Sequence, residues 1–194
     1  MTRLSRKLSS FFIASEIIPA EDKEVYEYSF EILISTLISF TALLIFSLLT
    51  DTVLYTSIYL VGFIPLRLVA GGYHAKNHLR CFIILMCTYS LFLLLLGFLP
   101  TELVMYVTVA VIVKSLVLVF VFAPSEDENK PVAESKKPKF EKASRISIVC
   151  YAVIALSLAM FIPDGRFAFA LVLGNSTIAI SLLANYVKQK KKKY

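Results

Sequence analysis

The chain has 194 residues, 58% of them hydrophobic and 18% charged, with no tryptophan and a mean hydropathy of +0.75. A soluble domain carries about 45–50% apolar and about 25% charged residues, so this composition excludes an ordinary soluble enzyme and points to an integral membrane protein. The formal charge of +6 and the pI near 9.2 do not call for nucleic acid, because the lysines and arginines sit in loops between apolar runs, as the positive-inside rule requires.

Residues 2–20 open with an amphipathic pattern. Leu4, Leu8, Phe11, Phe12 and Ile18 fall near one helical face, with Arg3, Arg6 and Lys7 elsewhere. Two placements fit: a helix lying in the membrane interface, or one packed on the protein's own cytoplasmic side. No cleavable signal peptide is read over 1–22, since Ser15, Glu16 and Pro19 interrupt the apolar stretch.

Six runs then approach or exceed the length that crosses a hydrocarbon core, at about 30–49, 53–66, 82–98, 103–123, 146–162 and 167–187. Short polar turns at 50–52, 100–102 and 163–166 force antiparallel neighbours. The predicted fold is therefore all-α, a single polytopic membrane domain over 1–194 with six transmembrane helices and an N-terminal amphipathic helix. The segment 124–145, with three prolines and mixed charge, reads as a hydrophilic loop. Eighteen of the twenty lysines and arginines fall in the N-terminal segment, the stretch 67–80, this loop and the basic tail from Lys188. That distribution places both termini in the cytoplasm. Two ionisable groups lie at membrane depth. Glu31 sits at the start of the first span, either functional or reaching the headgroups, and Lys114 in the fourth must face protein, water or a carboxylate.

The one polar break in the first half is Arg67-Leu-Val-Ala-Gly-Gly-Tyr-His-Ala-Lys-Asn-His-Leu-Arg-Cys81. It holds both histidines, His74 and His78, beside one of three cysteines, and Arg67, Lys76 and Arg80 flank the thiol in sequence. Gly71 and Gly72 permit positive φ and close approach by another chain. A thiol attacks as its thiolate, and a neighbouring imidazole can take its proton and return it to a leaving amine. In one continuous helix His74 would stand about 10 Å from Cys81 along the axis, whereas His78 would be adjacent. With the glycine segment as a loop and a helix starting near Asn77, His74 could fold back over the first turn instead. Local geometry alone slightly favours His78 as the base. A merely polar connection is the plain alternative. Cys87 and Cys150 lie inside apolar runs and read as packing residues. The cysteine spacings hold no metal-ligand pattern, so neither a metal nor an organic cofactor is predicted.

Arg67, Gly71-Gly72, His74 and Cys81, with six residues between the last two, resemble the accessory gene regulator protein B (AgrB) family of Gram-positive bacteria. The amphipathic start, the six spans, Ala123-Pro124, Asn129-Lys130-Pro131 and the basic tail extend the resemblance. It implies a cell-membrane cysteine endopeptidase that matures a quorum-sensing propeptide, with Cys81 as nucleophile and His74 as base. It also implies that Arg67 and Gly72 serve substrate binding and loop shape, and carries Glu31 over weakly as an orienter of His74 or partner of Arg67. The implied chemistry removes the tail of an AgrD-like propeptide through a thioester acyl-enzyme, and an internal thiol or hydroxyl then closes a thiolactone or lactone. The implied partners are that propeptide, the bilayer and a second copy in a homodimer. The rival readings are a small transporter using Lys114 and Glu31, and a signalling scaffold docking through 124–145.

Overall fold

The computed structural model describes residues 2–72, 78–125 and 134–192, less the side chains of Thr2, His78 and Lys192. Seven α-helices follow in chain order: α1 Thr2–Ala14, α2 Lys23–Leu49, α3 Val53–Ala70, α4 His78–Phe98, α5 Thr101–Phe122, α6 Lys137–Phe161 and α7 Arg166–Lys192. Six of them, α2 to α7, are long and apolar enough to cross a membrane. Among the described residues there is no strand, only an isolated bridge between Gly71 and Ser125.

Several helices outrun the apolar segments that announced them. Helix α2 begins at Lys23, after a 3-10 turn at Ala20–Asp22, rather than near Phe30. Helix α6 begins at Lys137, inside the stretch read as loop, and α7 continues through the basic tail to Lys192. The reason is that hydropathy marks hydrocarbon thickness, not helix length. Glu141 pairs with Arg145 one turn on at 2.6 Å, and Pro138 sits in the first turn of α6, where its missing N–H is not needed.

The chain divides into two compact units. The first comprises Met1–Asp51 with Ala75–Cys87. In it α1 packs on α2 through a face of small residues: Ser5 and Ser9 are buried, and Phe12 stacks on Phe30 at 5.4 Å between ring centroids. Leu4 and Phe11 point outward. One face of α1 thus rests on α2, and Leu4 and Phe11 stay on its exposed side.

The second unit comprises Thr52–His74 with Thr88–Tyr194. Its centre is α7, which packs on α3, α5 and α6. Within the apolar window of α7, 61% of residues are buried, against 28% for α3 and α5, so this helix is the core of the bundle rather than a lipid-facing span. Lipid offers apolar side chains no advantage in meeting one another, and close helix contact relies on small residues instead. Gly62 and Gly174 supply it: a Cβ on Gly62 would press on the Leu171 carbonyl, and one on Gly174 on the Tyr59 carbonyl. Polar bonds finish the packing. Thr56 Oγ1 and Tyr89 OH lie 2.7 Å apart, Tyr59 OH and Thr177 Oγ1 3.0 Å apart, and Tyr55 OH donates to Asp164 Oδ2 at 2.7 Å.

Pro65 lies inside α3, four residues beyond Val61, and has no N–H to give to the Val61 carbonyl. Tyr151 of α6 supplies the donor, its hydroxyl reaching Val61 O at 2.8 Å. Backbone groups at membrane depth must be satisfied from within the protein. Tyr151→Phe should therefore lower stability by about 0.5–1.5 kcal/mol. In a Pro65→Ala background, where the helix restores its own bond, the same change should cost less. Thermal unfolding of the four variants in detergent checks this, and equal costs in both backgrounds would contradict it.

Candidate active site

Helix α3 ends in the Arg67–Gly72 segment. Gly71 caps it with φ +75°, its N–H donating to Arg67 O at 3.2 Å, and Gly72 follows at φ +121°. Both angles suit glycine rather than an L side chain. Arg67 curls back over the turn, Nη1 donating to Gly71 O at 2.8 Å and to Ser181 Oγ of α7 at 3.3 Å. On the other side Ser125 N–H donates to Ala70 O at 2.9 Å, and Asn185 Nδ2 of α7 donates to Ser125 Oγ at 2.7 Å. Beneath the turn lies a core of Leu66, Ala70, Val119, Ile148, Ile178 and Leu182. The turn is thus clamped between the end of α5 and the last turns of α7 and rests on packed apolar side chains.

Arg67, Gly71 and Gly72 are therefore brought together, and Arg67 is the group that holds the turn's shape. Ser125, Ser181 and Asn185 belong to the same constellation and escaped the sequence reading. Lone polar residues far apart in sequence carry no spacing signal, although Asn185 in an apolar run is the kind of residue that marks a buried polar contact in a membrane bundle.

Cys81 is exposed, close to the start of α4 at His78. His78 opens the same helix three residues earlier, and its side chain lies outside the described residues. His74 and Lys76 also lie outside them, as do Asn129, Lys130 and Pro131. Cys87 and Cys150 are exposed on α4 and α6. They are not buried packing groups: their sides of these spans face outward, where a small soft side chain meets lipid as readily as protein.

Glu31 belongs to the first unit with Cys81, while Arg67, Gly71 and Gly72 belong to the second. Together with Ser5, Arg6, Glu24, Glu27 and Tyr28, Glu31 lines a polar cavity of about 300 Å³ between α1 and α2. Arg6 Nε stands 3.8 Å from Glu27 Oε2 there, and Lys23 Nζ 3.9 Å from Glu27 Oε1. Exposed pairs at such separations contribute little to stability. Lys114 meets the requirement placed on it by donating to Ser176 Oγ at 2.6 Å. The cavity nearby, between Ser115, Asn175 and apolar neighbours, measures about 10 Å³, room for a single water and no more. Among the described residues no group of His, Cys, Asp and Glu is arranged to hold a metal.

The family model for accessory gene regulator B matches residues 5–187. The chain is 32% identical over 170 residues to an AgrB-like protein of Clostridium perfringens (strain 13 / Type A), covering 82% of this chain and 78% of the relative. It is 31% identical over 160 residues to an AgrB-like protein of C. perfringens (strain SM101 / Type A), covering 77% and 73%. It is 27% identical over 118 residues to the accessory gene regulator protein B of Staphylococcus saprophyticus, covering 61% and 59%. No solved structure matches the chain. A match that runs through the clamped turn, Cys81 and all six apolar helices places this multi-pass bacterial membrane protein in the accessory gene regulator B family, a family of quorum-sensing regulation.

Proposed function

We propose that the protein is a membrane cysteine endopeptidase that matures an AgrD-like propeptide. The observation that carries this reading is Cys81, an exposed thiol at the start of a membrane helix, in a family match that also spans the clamped Gly71–Gly72 turn leading towards His74. In the proposed mechanism His74 takes the Cys81 proton, and the thiolate attacks the peptide bond that follows the future ring. The tetrahedral adduct collapses by expelling the amine of the C-terminal tail, which receives the proton from His74. A thioester joins the remaining propeptide to Cys81. An internal cysteine or serine of the propeptide then attacks that thioester, releasing Cys81 and closing a thiolactone or lactone. One acyl transfer follows another, and a membrane-edge site that limits water favours ring closure over hydrolysis.

Glu31 serves in this reading as a carboxylate at the polar start of the first span, and both termini face the cytoplasm with the basic segments. The propeptide's amphipathic leader lies on the same leaflet, which raises its local concentration. Lys136, Lys137 and Lys139 attract an acidic tail on the propeptide, and a homodimer is the functional assembly. The experiment reconstitutes the purified protein in anionic vesicles with a synthetic AgrD-like propeptide and follows tail and ring by mass spectrometry. Wild type should release the tail and form the ring. His74→Ala should slow both by roughly a hundredfold or more, the range of a general base. His78→Ala should leave them near wild type. The reverse pattern for the two histidines would assign the base to His78, and an intact propeptide in every sample would overturn the enzymatic reading.

A further inference from the structure

Deep in the second unit, two buried polar side chains face one small space. We infer that a single ordered water molecule is bound there, bridging Ser115 of α5 to Asn175 of α7; the inference does not depend on the peptidase chemistry. The space is the cavity of about 10 Å³ lined by α5, α6 and α7, where Ser115 and Asn175 are set among Ile112, Ile148, Ala152 and Val172. Ser115 is 1% exposed and Asn175 2%. Among the described residues, Ser115 Oγ and Asn175 Oδ1 have no hydrogen-bond partner. Lys114 and Ser176, their neighbours on the same two helices, are bonded to each other at 2.6 Å. The two helices therefore already exchange a polar contact at this level.

Neither atom has bulk water within reach. At 1.5 Å per residue, Ser115 lies about 10 Å from the nearer end of α5 and Asn175 about 14 Å from the nearer end of α7, too deep for such short side chains. A helical hydroxyl in this setting can give its proton to the carbonyl four residues back. Thr108 does so with Val104 O at 2.7 Å on the same helix, and Ser144 with Phe140 O at 2.7 Å on α6. Ser115 does not take that route, and its hydroxyl is left to the cavity. An unsatisfied polar group in an apolar interior is costly, and at membrane depth its partner has to be held inside the protein. Water fits in both size and chemistry. Its oxygen accepts from the Ser115 hydroxyl while one of its O–H groups donates to Asn175 Oδ1, and roughly 10–15 Å³ of such space holds one molecule. A hard metal cation takes about six oxygen ligands, so two neutral oxygens do not make a site for one. The bound water thus gives α7, the core helix, a second polar link to α5 beside the direct Lys114–Ser176 bond.

The test has two parts, both on the full-length protein. Crystals grown from lipid and diffracting well enough to show ordered water should give one density peak in the cavity, within about 2.7–3.2 Å of both Ser115 Oγ and Asn175 Oδ1. The second part compares thermal unfolding midpoints of Ser115→Ala and Ser57→Ala in detergent. Ser57 is exposed and its hydroxyl donates to Val53 O at 2.8 Å on its own helix, so its replacement sets the baseline for exchanging a helical serine for alanine. Against that baseline, Ser115→Ala removes one end of the bridge, and its midpoint should fall by about 2–4 °C. A dry cavity predicts the opposite sign, because the change would then delete an unpaired buried hydroxyl. A cavity without density, in a map where other ordered waters are visible, overturns the inference whatever the variants do. A Ser115→Ala midpoint above the baseline overturns it as well. So does a peak with several contacts at about 2.3–2.6 Å, which marks a metal ion in place of water.

Discussion

Replacing Cys81 by alanine is expected to abolish propeptide processing, a fall of at least about a thousandfold, while Cys87→Ala and Cys150→Ala stay within about twofold of wild type. All three thiols are exposed, so accessibility does not separate them. Their settings do. Cys87 and Cys150 lie well inside α4 and α6, whose outward faces meet hydrocarbon, and a thiolate there has no counter-charge or water. Cys81 sits close to the start of α4, next to the polar stretch 67–80 that carries Arg67, Lys76 and Arg80. Removing the nucleophile removes both chemical steps at once, because the acyl transfer to the ring depends on the thioester that Cys81 forms. Comparing tail release by the three variants checks this, and processing that survives in Cys81→Ala would end the cysteine reading.

The second large effect belongs to Gly71. An alanine there adopts φ +75° with a Cβ directed into the Ser125 carbonyl oxygen, a backbone atom that cannot swing aside. The substitution has to break the Gly71–Ser125 bridge or bear a strained backbone, on the order of 1–3 kcal/mol. If that strain is felt at the site, processing should fall by roughly five- to a hundredfold, at 1.4 kcal/mol per decade. Gly72→Ala should cost less than Gly71→Ala. It shares the positive φ, but the atoms its Cβ meets are the ends of the Arg67 and Ser181 side chains, which can move. Gly97 provides the control, since its Cβ would meet nothing within 4 Å. Gly97→Ala should be neutral or slightly stabilising. Processing rates and unfolding midpoints of the three variants decide the order, and a Gly71→Ala protein with wild-type turnover would contradict the importance of the turn.

The six spans and their short turns were legible because membrane thickness imposes a length that hydropathy reads directly. The role of α7 was not. A hydropathy profile cannot tell a helix facing lipid from one facing other helices, since both surroundings are apolar. The signal lay elsewhere, in the small and polar run Ala168, Ala170, Gly174, Asn175, Ser176 and Ala179, which are all buried or in close helix contact. At the site, Arg67, Gly71 and Gly72 stood out because they interrupt an apolar pattern. Ser125 and Asn185 did not, because their partnership spans sixty residues and exists only once α5 and α7 are packed. Cys81 was legible from its proximity to the histidines in sequence, and it falls near the start of α4, His78–Phe98.

Intact mass spectrometry of the reconstituted protein, quenched in acid shortly after mixing with an AgrD-like propeptide, tests the central claim most directly. Wild type should gain the mass of the propeptide less its tail, and hydroxylamine should remove that adduct, as it does a thioester. Cys81→Ala should gain nothing. Tail release without any such adduct on the wild-type protein, or an adduct that persists in Cys81→Ala, would contradict the acyl-enzyme account.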